Sequence, residues 1–99
     1  MLQPDSLNDR EPLPLSDLAK GECGVVQALR DVESGAVGEV EGSTVVRRLL
    51  ELGFVPGEAL QVVATAWPSG DPMAVRVGAG VFALRRREAR SVIVRRSPR

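Results

Sequence analysis

The sequence contains no histidine, no tyrosine and a single cysteine, Cys23. The lack of histidine removes the commonest general base and the commonest ligand of transition metals. One cysteine cannot form an internal disulfide, and without histidine it cannot form a cysteine–histidine nucleophile pair. We therefore expect a protein that is not an enzyme and has no bound cofactor, no catalytic residues and no metal-ligand residues.

Aromatic residues and long apolar runs are also scarce. With two phenylalanines and one tryptophan in 99 residues, the core must be mainly aliphatic. No apolar run approaches the roughly 20 residues that cross a membrane, and the first residues lack the pattern of a signal peptide. We expect one cytoplasmic domain over residues 14–95, with a disordered tail over residues 1–13 and a frayed end over residues 96–99.

The net charge of zero hides an asymmetry between the two halves of the chain. Residues 1–46 carry nine acidic and three basic residues, whereas residues 47–99 carry four and ten, which gives −6 and +6. One interpretation is a folded surface whose halves attract each other. The other is an arginine-rich face for an anionic partner, centred on the run over residues 83–90.

Residues 43–57, S-T-V-V-R-R-L-L-E-L-G-F-V-P-G, predict a short amphipathic helix with a defined start and end. Ser43 or Thr44 can cap its first turn. Its apolar positions recur at helical spacing, and Gly53 follows where a helix end favours positive φ. The dipeptide at residues 56 and 57, Pro-Gly, then suits a type II turn. The apolar positions are Val45, Val46, Leu49, Leu50 and Leu52.

Five segments have the composition of short strands. They are Cys23–Leu29, residues 58–67, Met73–Val77, residues 81–84 and residues 91–95. A capped turn beginning at Ser16 precedes them, a loop is predicted over residues 30–42, and a turn of helix is predicted within residues 85–90. Five strands and one helix in so short a chain favour a mainly β fold, a small bent sheet or barrel with antiparallel neighbours.

Three motifs in this order resemble the FeoA family: R-R-L-L-E-L-G-F-V-P-G-E at residues 47–58, P-S-G-D-P-M-A-V-R-V at 68–77, and F-A-L-R-R-R-E-A-R-S-V-I-V at 82–94. The opening L-S-D-L-A-K-G-E-C-G-V-V at residues 15–26 fits as well. The resemblance departs from the family over residues 30–44, which are longer and more acidic than its usual first loop.

The resemblance implies an SH3-like β-barrel with one short inserted α-helix. It also implies an accessory role in bacterial ferrous iron uptake, with the membrane ferrous iron transporter FeoB and its cytoplasmic GTPase domain as partner. Related domains occur at the C-terminus of iron- or manganese-dependent repressors, so a stand-alone relative of such a domain is an alternative that the resemblance leaves open. For a docking surface we expect exposed apolar side chains beside charge. The candidates are Arg48, Leu50, Phe54 and Trp67, with a core position as the alternative for Phe54 and Trp67.

Three other functions are open to test. Nucleic-acid or anionic-surface binding through the arginines predicts salt-sensitive association, but few aromatics are available to stack on bases, so we expect no nucleic acid. Direct iron carriage would have to rely on carboxylates such as Glu39 and Glu41. Short edge strands also allow weak self-association.

Overall fold

The computed structural model describes residues 11–31 and 44–98. Residues 1–10 of the predicted tail over residues 1–13, most of the predicted loop and the capping residue Ser43 lie outside these ranges. Leu13, the last residue of that predicted tail, lies in a strand. The strands are β1 (Leu13–Pro14), β2 (Cys23–Leu29), β3 (Ala59–Thr65), β4 (Met73–Val77), β5 (Gly80–Leu84) and β6 (Val92–Ser97). A 3₁₀ helix (Leu15–Asp17) follows β1, helix α1 (Thr44–Leu52) precedes β3, and a single turn, α2 (Arg86–Ala89), joins β5 to β6.

The strands form one six-stranded antiparallel sheet in the order β1-β6-β2-β3-β4-β5. The predicted mainly β class with one helix inserted between two strands is confirmed. The prediction of about five strands omitted β1, and the sheet is open rather than closed into a barrel. Register shifts between Val26 and Ala28 and between Val62 and Ala64 mark bulges, which bend the sheet around its core.

Helix α1 ends as its sequence predicts. Gly53 has φ of 115° and Gly57 has φ of 97°, the region that favours glycine. The Glu58 amide donates to the Val55 carbonyl at 2.9 Å, closing the Pro-Gly turn. The amide of Gly57 also donates to the carbonyl of Val26 at 2.8 Å, so this turn fixes the end of α1 against β2.

The core is mainly aliphatic, with Phe54 buried inside it and Phe82 packed against it. Helix α1 buries Val46 and Leu49, while Leu50 is 39% exposed and does not join the buried stripe that the helical spacing predicted. Strand β4 buries alternate residues, as expected. The fully or almost fully buried apolar residues are Leu15, Leu18, Val26, Val46, Leu49, Phe54, Leu60, Val62, Met73, Val75, Val77, Leu84, Ala89, Val92 and Val94.

Two local predictions were wrong. Ser16 does not cap a helix, because the 3₁₀ helix begins after Pro14 without a side-chain cap and Ser16 is buried within it. The chain does not fray at residue 96, because Arg96 pairs with Gly24 and Ser97 with Cys23 in the ladder between β6 and β2. The side chain of Arg96 also donates to a Glu22 carboxylate oxygen at 3.1 Å.

Candidate docking surface at the β3–β4 loop

Trp67 lies on the loop that joins β3 to β4 and is 92% exposed. Hydrogen bonds within the loop hold its shape: the Gly70 amide donates to the Ala66 carbonyl at 2.5 Å, and the Asp71 amide donates to Ser69 Oγ at 3.2 Å. The ordering of the loop therefore does not depend on burying the indole. The peptide bonds before Pro68 and Pro72 are cis.

Helix α2 fixes this loop to the rest of the domain. The Arg86 amide donates to Asp71 Oδ1 at 3.0 Å, and the Arg86 guanidinium donates to the Gly70 carbonyl at 3.4 Å and to the Ser16 carbonyl at 2.6 Å. One half-buried arginine thus joins the loop, α2 and the 3₁₀ helix. The sequence placed Arg86 in an exposed basic run, and no sequence signal distinguished it from its neighbours.

Arg48 of α1 also contacts α2. Its guanidinium donates to Glu88 Oε2, and Glu88 Oε1 accepts from the Arg85 amide at 3.0 Å. Glu88 therefore caps α2 and pairs with α1 at the same time. Because α2 contacts both Arg48 and the loop that carries Trp67, these two predicted residues flank a common element.

The four predicted docking residues do not share one environment. Leu50 and Trp67 are exposed, and the side chain of Arg48 is 56% exposed. Phe54 is fully buried, with its ring centroid 6.3 Å from that of Phe82 at an interplanar angle of 61°. Phe54 cannot contact a partner directly, so its candidacy as a surface residue was wrong and the core alternative is what the structure supports.

The arginines of residues 85–90 surround a cleft of about 710 Å³ between the 3₁₀ helix, the β3–β4 loop and α2. Its lining residues are Ser16, Asp17, Asp71, Arg85, Arg86, Arg87 and Arg90. Since Arg86 is engaged within the fold and Glu88 interrupts the run, the arginines do not form a continuous free basic strip.

Metal and membrane features are few in the described part of the chain. Among residues 11–31 and 44–98, no three histidine, cysteine or carboxylate side chains are grouped so that they could hold a metal ion. Glu39 and Glu41 lie outside those ranges. No helix within the same ranges has both the length and the apolar character that crossing a bilayer requires.

These features define a small SH3-like β domain, and known structures agree. The chain superposes on FeoA of Stenotrophomonas maltophilia with a TM-score of 0.69 and 38% identity, over 83% of this chain and 88% of that one. That protein was crystallised with zinc and is described as a prokaryotic SH3-domain protein and a candidate activating factor for ferrous iron transport. FeoA of Chlorobium tepidum matches with a TM-score of 0.67 and 31% identity, over 85% and 70% of the two chains.

The FeoA domain model matches residues 13–96, and the chain therefore belongs to the FeoA family, small accessory proteins related to ferrous iron transport. A manganese-dependent transcriptional repressor shares the fold alone, with a TM-score of 0.68 and 16% identity over 89% of this chain and 43% of that one. No curated protein matches the sequence.

Proposed function

We propose that this chain is a non-catalytic accessory protein of ferrous iron uptake that acts by binding the membrane ferrous iron transporter FeoB, at its cytoplasmic GTPase domain or its membrane part. The folded unit that binds is the predicted domain over residues 14–95, extended by Leu13 in β1 and by Arg96 and Ser97 in β6. The protein works in the cytoplasm and reaches the inner face of the membrane through this partner. Membership of the FeoA family supports a role in ferrous iron uptake. The exposed side chains around α2 support the proposal that the protein acts by binding a partner.

The observation that carries the binding proposal is the exposure of Trp67. An indole that is 92% exposed contributes little to the fold, yet it offers a large apolar area to a partner. Tryptophan is enriched among the residues that dominate binding energy at interfaces. A loop already fixed by hydrogen bonds also loses little conformational entropy when a partner binds.

Arg48 and Leu50 extend the proposed surface onto α1. Leu50 adds exposed apolar area, and Arg48 adds a charge that Glu88 already orients. Apolar contacts with a charged margin are the usual composition of a protein–protein interface. Phe54 contributes from within the core, where it supports the end of α1.

The proposal of no catalysis rests on chemistry rather than on the fold. The sequence offers no histidine, and the two half-buried acids beside α2, Asp71 and Glu88, are engaged by the backbone amides of Arg86 and Arg85. Both carboxylates therefore have structural roles as acceptors.

A pull-down against the cytoplasmic part of the cognate transporter, with the nucleotide varied, tests the proposal. Trp67→Asp should abolish binding while the variant stays folded, and Leu50→Asp should weaken it. Val81→Asp is the matched control, because Val81 is also an exposed apolar residue, at 53%, but lies on edge strand β5. If both Trp67→Asp and Leu50→Asp still bind, the docking surface must lie on another part of the domain. If neither the cytoplasmic part nor the full transporter binds in any nucleotide state, the proposal fails.

A further inference from the structure

The arginine cleft beside α2 has the composition of an anion site. Four of its seven lining residues are arginines and two are aspartates, Asp17 and Asp71, so the lining carries a net charge of 4 − 2 = +2. The protein as a whole has a formal net charge of zero. Positive charge is therefore concentrated at this concave position.

Arg86 supplies a fixed cation at the base of the cleft. Its guanidinium donates to the carbonyls of Ser16 and Gly70, at 2.6 and 3.4 Å. Both acceptors are neutral, so these bonds hold the group in place without cancelling its charge. Its orientation is thus set by the fold before any ligand arrives.

The nearby carboxylates are directed to other partners. Glu88 Oε1 accepts from the Arg85 amide and Oε2 pairs with Arg48 on α1, and Glu88 does not line the cleft. Asp71 Oδ1 accepts from the Arg86 amide at 3.0 Å. The ion pair with Arg48 offsets the charge of Glu88, whereas the bond from the Arg86 amide orients Asp71 and leaves its charge within the net +2 of the lining. The side chains of Arg85 and Arg87 line the cleft and are exposed.

We propose that this cleft binds the phosphate group of an anionic ligand. Planar guanidinium groups donate pairs of parallel hydrogen bonds to phosphate oxygens, and several arginines around one concavity can satisfy a group with three or more acceptor atoms. Arg86 orients the phosphate, and Arg85 and Arg87 close over it. A soluble phosphate compound and the headgroup of an anionic lipid present the same chemistry. The proposal does not depend on binding to the iron transporter.

The test is a titration of the full chain, at low ionic strength, with inorganic pyrophosphate and separately with vesicles. The vesicles are phosphatidylcholine alone or phosphatidylcholine with phosphatidylglycerol. We expect backbone amide NMR shifts at Ser16, Asp71 and Arg86, and affinity that falls as salt is added. Arg85→Gln/Arg87→Gln should weaken binding about tenfold, from the loss of two charge-assisted contacts.

The matched control is Arg76→Gln/Arg95→Gln. It removes the same charge from exposed arginines whose side chains bond only to Gln61 and Gln27 among the contacts described. It should change the affinity less than about twofold, as expected for screened, distant charges. If the parent binds pyrophosphate and Arg85→Gln/Arg87→Gln (the cleft variant) does not, the result supports a soluble phosphate ligand. If the parent binds only vesicles that contain phosphatidylglycerol and the cleft variant does not bind them, the result supports a lipid headgroup. The proposal is overturned if neither probe binds, or if the control loses as much affinity as the cleft variant.

Discussion

Phe54→Ala should destabilise the domain severely without removing any surface contact. The Phe54 side chain is fully buried, packs in the main core cluster and makes an edge-to-face contact with Phe82. Truncating a buried phenylalanine costs about 3–5 kcal/mol, because transfer energy is lost and a cavity remains. A domain of this size has roughly 5–15 kcal/mol of stability in total, so the loss would be a large fraction of it.

Urea unfolding followed by circular dichroism measures the effect. With a slope of about 2 kcal/mol per molar urea, a loss of about 4 kcal/mol lowers the midpoint by about 2 M. Val81→Ala, at a half-exposed valine on β5, is the control and should change stability by less than about 0.5 kcal/mol. A loss below about 1 kcal/mol for Phe54→Ala in a folded variant would refute the assignment of Phe54 to the core.

Three further substitutions test other parts of the structure. Trp67→Ala should change the free energy of unfolding by less than about 0.5 kcal/mol, because the exposed indole packs on little. A large fall in thermal stability would contradict this. Glu88→Gln should cost about 1 kcal/mol, and a double-mutant cycle with Arg48→Gln in urea should show that the two effects are not additive. Gly24→Ala should cost about 1–3 kcal/mol, because the new Cβ would lie 2.9 Å from the carbonyl oxygen of Arg95 in the adjacent strand; unfolding at the parent midpoint would contradict that contact.

The sequence predicted the elements whose signals are local. Helix α1 followed from its apolar spacing, and its end followed from Gly53, whose φ no other residue adopts easily. Strand β4 followed from strict alternation, which matches its burial pattern residue by residue. In these segments, burial and backbone conformation depend mainly on neighbours in the chain.

Features that depend on distant contacts could not be predicted. Strand β1 has two residues, too few for any periodicity, and exists because Leu13 and Pro14 pair with Val94 and Ile93. For Phe54 the sequence left both the surface and the core open, with the core favoured, because the residue after a helix end can turn either way. The sheet that packs against α1 determines whether Phe54 turns to the surface or into the core.

The candidate surface was predicted in part. The exposed position of Arg48 was expected from helical spacing, whereas the same spacing placed Leu50 in the buried stripe and a core position was the alternative for Trp67. Arg86 was missed because a run of arginines has no internal pattern, and only its tertiary contacts to Ser16, Gly70 and Asp71 distinguish it from its neighbours. The roles of these residues in docking remain predictions until binding is measured.

Ferrous iron uptake under iron limitation tests the accessory role most directly. The cells to compare lack this gene and are complemented with the parent chain, Trp67→Asp or Val81→Asp, with membrane-inserted transporter quantified in each. The proposal predicts that deletion lowers uptake at equal transporter level, and that the parent and Val81→Asp restore it while Trp67→Asp does not. Unchanged uptake in the deletion strain would contradict the accessory role, and full rescue by Trp67→Asp would contradict the docking surface.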